Sequence, residues 1–182
     1  MKNARTYIYF LTGNRYKKND IKILDMNGHL RNLDELKHLK RSDIICMLCV
    51  KGCSNEELNA LCDKVSRLDD PIPLAAALDC VFFPRSLLFS HLPCMVSELA
   101  DDVEKYYKLL PYITDLTSLG KYAYRNNLWG DEKNKGNPTW NNYKRIGQEL
   151  TEFGNARRSY FGYVLSYGNI IGKYKYHYIG KH

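Results

Sequence analysis

A doubly wound α/β sheet is the fold the sequence predicts for residues 1–110, followed by a smaller basic segment. Three observations carry that expectation. Asp43–Val50 reads Asp-Ile-Ile-Cys-Met-Leu-Cys-Val, a short run that is apolar on both alternating faces. Such a run suits a strand buried on both sides in a short, mostly parallel sheet. Helical patterns lie before and after it, so it falls in the middle of a β-α-β-α series. The charge is uneven: residues 1–110 hold 16 Lys/Arg against 15 Asp/Glu, whereas residues 111–182 hold 11 against 5 and ten of the fifteen tyrosines. That change of texture puts a domain boundary near Pro111, giving a sheet domain over 1–110 and a basic, tyrosine-rich α(+β) segment over 111–182.

In chain order, Thr6–Leu11 is β-branched and aromatic and reads as a strand. A polar, basic loop follows over Thr12–Asn19, then a strand over Ile21–Met26 and a turn at Asn27-Gly28. Asn32 caps an expected helix over Leu33–Lys40. After the Asp43–Val50 strand, Ser54-Asn55-Glu56-Glu57 is a capping box opening a helix with Leu58, Leu61, Cys62, Val65 and Leu68 on one face. Pro73–Leu78 and Cys80–Phe83 read as two short buried strands, and His91–Leu110 as a long amphipathic helix. Beyond Pro111, a helical pattern runs over Ile113–Leu128 and a charged loop over Gly130–Pro138. A second helix, capped by Thr139 or Asn141, turns Tyr143, Ile146, Leu150 and Phe153 inward. Gly154-Asn155 breaks it, Ala156–Tyr167 is another helix or a strand, and Asn169–His182 alternates like a hairpin arm.

Hydrophobic residues make up 45% and charged residues 26%, enough for a sizeable core. The longest apolar window, Pro71–Val96, is interrupted by Asp79, Pro84, Arg85, His91 and Pro93, which argues against a membrane span. No signal peptide is visible, and the six cysteines fall on core-like segments rather than in a loop-rich disulfide scaffold. A cytoplasmic protein with reduced thiols, no membrane partner and no cofactor is expected.

The strand order resembles that of a response-regulator receiver domain, and more loosely a Rossmann-like sheet, with Phe83-Pro84-Arg85 at the end of the last strand. Thr12-Gly13-Asn14 stands where a receiver carries its acidic pair, and Val50-Lys51-Gly52 where it carries the phosphoacceptor. The resemblance therefore implies a degenerate, non-phosphorylated receiver. The loop after the first strand offers Gly13, Arg15, Lys17 and Lys18 to an anion, without either glycine-rich phosphate motif. Cys46 and Cys49, three apart on a strand, point to opposite faces, so no metal site is expected there. No Gly-x-Ser-x-Gly motif appears, and the adjacent acids Asp69-Asp70 and Asp101-Asp102 read as helix-end residues, so the balance is against an enzyme.

The basic segment has the layout of a helix-turn-helix with a wing. On that reading Arg157, Arg158, Ser159 and Tyr160 open the helix that enters duplex DNA, Lys144 and Arg145 lie on the preceding helix, and Lys173, Lys175 and His177 line the wing. The leading expectation is a non-enzymatic, transcription-regulating DNA-binding protein whose sheet domain serves for homodimerisation or for binding another protein. The alternative is a protein–protein adaptor with no nucleic-acid role. A third is a nucleotide- or anion-binding enzyme using the first loop.

Overall fold

A computed structural model of the chain describes residues 17–81, 90–126, 128 and 140–166. Met1–Lys105 and Tyr106–His182 are two compact units. The expected strand Thr6–Leu11, the loop Gly130–Pro138 and the arm Asn169–His182 lie outside the described residues.

In the first unit, β1 (Ile21–Asp25) folds back on β2 (Leu30–Asn32) as an antiparallel hairpin. Asp25, only 4% exposed, fixes the turn. One carboxylate oxygen accepts from the backbone N–H groups of Asn27 and His29, each at 2.9 Å, and the other accepts from Arg31 Nε at 2.9 Å. Burial alone would raise this carboxyl's pKa. The bonds from His29, Arg31 and Asn27 outweigh burial and hold the group below its ordinary value. Gly28, at φ 78°, completes the turn. A Cβ there would lie 2.5 Å from the Cys62 carbonyl oxygen, so the turn is seated against the backbone of α1 (Asn55–Ser66).

The mostly parallel, doubly wound sheet expected from the sequence is not what forms, and the receiver-like or Rossmann-like order goes with it. The sheet order is β2-β1-β3-β4, with β3 at Ile44–Cys49 and β4 at Ser90–His91. β3 runs antiparallel to β1 along its length, with Ile21 opposite Cys49, Leu24 opposite Cys46 and a bulge at Leu24/Asp25. The parallel contact with β4 covers only Met47–Ser90 and Leu48–His91. The cause is the short strand Leu30–Asn32, which carries no apolar pattern long enough to read. β1 turns straight back into it and then sits between β2 and β3, running against both. A 3-10 helix, Leu33–His38, replaces the expected α-helix and crosses from β2 to β3.

β3 is nonetheless buried. Ile44, Cys49 and Met47 join Ile21, Ile23, Leu33, Leu36 and Leu39 in one cluster, while α2 (Ile72–Val81) packs against β3. That helix occupies the stretch expected to start two strands. Leu74–Leu78 is buried on every side, which hides any periodicity. Two chemical signals favour helix all the same: the Ala75-Ala76-Ala77 run, since alanine is the strongest helix former, and Pro73 in the first turn, where its missing N–H costs nothing. α1 opens on the expected capping box: Ser54 Oγ accepts from Glu57 N at 3.2 Å, and Ser54 N donates to a Glu57 carboxylate oxygen at 2.8 Å. α3 (Pro93–Tyr106) buries Val96, Leu99 and Val103 but stops short of Leu110. Lys64 of α1 reaches Asp101 of α3 at 2.7 Å.

The second unit begins with β5 (Tyr107–Leu110), a stretch expected to be helix. α4 (Leu116–Arg125), α5 (Trp140–Glu152), β6 (Ala156–Ser159) and β7 (Gly162–Ser166) follow. The sheet is antiparallel with order β5-β7-β6. Leu110, Leu119, Ala123, Ile146, Leu150, Ala156, Tyr163 and Leu165 form its core. The two helices meet backbone to backbone. A Cβ on Gly120 would stand 1.8 Å from the Tyr143 carbonyl oxygen, and one on Gly147 would stand 1.9 Å from that of Leu116.

Candidate nucleic-acid interface

The outward surface of the second unit is set by how α4 and α5 begin and end. Asp115 caps α4, accepting from Thr117 N and Ser118 N at 2.9 Å and from Ser118 Oγ at 2.7 Å, and these bonds hold its pKa below the ordinary value. α5 ends at Gly154, which takes φ 77°. Asn155 N donates to Leu150 O at 3.0 Å and Gly154 N donates to Thr151 O at 3.2 Å. This is a Schellman closure, and it leads directly into β6. The break at Gly154-Asn155 therefore does not join two helices as expected. Ala156–Ser166 is a hairpin, because Ala156, Tyr163 and Leu165 turn toward the core at a period of two along paired strands.

That correction moves the expected DNA-reading residues. Arg157 is half-buried on β6 opposite Val164, and Arg158 is exposed opposite Tyr163. Burial raises the Tyr163 phenol above its ordinary pKa, with Arg158 opposing and Asp115 adding to the rise. Ser159, expected to help open the DNA-entering helix, is committed to the hairpin turn: its Oγ donates to Gly162 O at 2.9 Å and accepts from Phe161 N at 3.1 Å. Tyr160 stands at the tip, 64% exposed, edge-on to Phe161 at 5.1 Å between ring centres. Lys173, Lys175 and His177 lie outside the described residues.

α5 turns Tyr143, Ile146, Gly147 and Leu150 toward the interior and leaves Asn142, Lys144, Arg145, Gln148 and Glu152 exposed, while Phe153, expected inward, lies past the end of the helix and is exposed. Arg145 Nε lies 3.8 Å from a Glu149 carboxylate oxygen one turn on. Asn142 and Gln148 were not singled out in the sequence. The helical period that places Ile146 and Leu150 inside also places them outside, so the signal was present.

The other candidate sites fare differently. Gly13 and Arg15 of the anion loop lie outside the described residues. Lys17 N donates to Asp20 at 2.8 Å, and the Lys18 ammonium is paired with Asp34. Cys46 and Cys49 pair with Leu24 and Ile21 across β1, so they occupy opposite faces of β3. Burial raises the thiols of Cys46, Cys53 and Cys62 above their ordinary values, which suppresses thiolate chemistry at those positions. Among the described residues, no group of three or more His, Cys, Asp or Glu is placed to hold a metal ion, and no helix is long and apolar enough to cross a membrane. No protein-family model, curated protein or solved structure matches the chain.

Proposed function

We propose that the protein is a non-enzymatic regulator that binds duplex DNA through its second unit, with α5 in the major groove and the β6–β7 hairpin against the backbone. The observation that carries this reading is topological. A strand, two helices and a hairpin closing a sheet of order β5-β7-β6 is the arrangement of a winged helix-turn-helix, in which the second helix is the one presented to the groove. Charge agrees with it. Lys144, Arg145 and Arg158 are exposed on the two elements such a module offers to DNA.

The test is titration of a labelled duplex by the full chain across a range of salt. Affinity is expected to fall steeply with salt, and each alanine substitution at Lys144 or Arg158 should reduce the logarithmic slope by roughly one. Salt-independent binding, or a triple Lys144→Ala, Arg145→Ala, Arg158→Ala variant that binds as well as the parent, would overturn the proposal.

A second reading, a protein–protein module, draws on the exposed rings of Tyr112 (94%), Phe153 (78%) and Tyr160 (64%), a residue type enriched at such interfaces. It requires that the protein bind no duplex and that Tyr112→Ser plus Phe153→Ser abolish self-association or partner capture.

A further inference from the structure

The outer face of α5 has a charge order that runs against the helix dipole. Its first turn holds no acid and its last turn no base; Lys144 and Arg145 come early, and Glu149 and Glu152 late. The helix dipole favours the opposite order. A merely solvated face has no reason to set its cations ahead of its acids. A helix whose N-terminal part enters a polyanionic groove does have one.

Asn142, Arg145 and Gln148 are exposed and three residues apart. They therefore climb about 4.5 Å per step along one inclined row. Side chains at that spacing on a groove-bound helix meet successive bases. Their chemistry is that of base readers: asparagine and glutamine pair with adenine N6 and N7, and arginine pairs with guanine O6 and N7. Glu149 lies 3.8 Å from Arg145 Nε, an exposed pair too long for a hydrogen bond, so the guanidinium remains available to a guanine.

We infer that Asn142, Arg145 and Gln148 form a sequence-reading row, and that the preferred duplex carries three consecutive purines on one strand, a guanine between two adenines. The inference rests on the DNA-binding reading and adds the base specificity. Lys144, outside the row, contacts phosphate.

The experiment is selection by the full chain from a pool of random duplexes, followed by titration of the enriched duplex and its single-base variants. Replacing the central guanine pair is expected to weaken binding roughly tenfold or more. Arg145→Ala should erase that preference while leaving the flanking adenines read. Gln148→Ala should relax one flanking position alone, and Lys144→Ala should weaken all duplexes equally. An unchanged circular dichroism spectrum shows that each variant is folded. Salt-dependent binding with no base preference, or a preference that survives Arg145→Ala, overturns the row and leaves the DNA-binding reading standing. No binding to any duplex in the pool overturns both.

Discussion

Helices α1 and α5, one in each unit, are of similar length, and their ends are opposite in kind. α1 starts on a Ser54 capping box with Glu56 and Glu57 in its first turn and closes with Lys64 in its last. Every one of those choices lowers the energy of the helix itself. α5 has no acid in its first turn and no base in its last, and it depends on tertiary contact: Ile146 and Leu150 in the core, and Gly147 against Leu116. A helix that neglects its own electrostatics while its partners hold it in place has an outer face free to be chosen for something else.

The sharpest way to break this comparison is to remove the tertiary support. Gly147→Ala forces a methyl group into the Leu116 carbonyl, 1.9 Å from the ideal Cβ position. The expected loss is about 3 kcal/mol from the second unit, read as an earlier urea transition in tryptophan fluorescence, since Trp129 and Trp140 both belong to that unit. The first unit's counterpart is Asp25→Ala, which leaves Asn27 N, His29 N and the Arg31 guanidinium without their acceptor and is expected to cost about 2 kcal/mol. Because the folded-state pKa of Asp25 is depressed, its contribution is fully present above the unfolded value near 3.9 and fades as pH falls through the folded one. Chemical denaturation from pH 6 downward should therefore show a steeper acid loss in the parent than in Asp25→Asn.

Smaller changes test the helix ends directly. Ser54→Ala is expected to cost about 1 kcal/mol by freeing the Glu57 N–H. Glu152→Lys gives α5 the terminal cation that α1 already has, and is expected to raise stability by about 0.5 kcal/mol in thermal or urea unfolding. If Glu152→Lys destabilises instead, the contrast between the two helices is not electrostatic.

What could be read from the sequence was local. The capping box at Ser54, the inward row of Ile146 and Leu150, the stop at Gly154 and the buried strand around Ile45 all follow from neighbours in the chain, and all are present. What misled was pairing. Burial of both faces of Ile44–Cys49 arises from a 3-10 layer and from α2, and the run of apolar residues is the same whichever direction its partners take. Tyr107–Leu110 continues the apolar rhythm of α3, and only its pairing with β7 makes it a strand. The exposed residues of α5 were legible as a face. Their relation to Arg158 needed the hairpin, which Arg-Arg-Ser-Tyr alone does not announce.

Where α4 and α5 touch, glycine faces backbone at both Gly120 and Gly147. Leu119 and Ala123 of α4 pack with Ile146 and Leu150 of α5 beside that crossing, and Tyr124 meets Tyr143 edge-on at 5.7 Å. The presentation of α5 is thus governed by two positions that carry no side chain and lie away from the exposed row. A methyl group at either would push the helix off its seat without altering a single residue on its outer side.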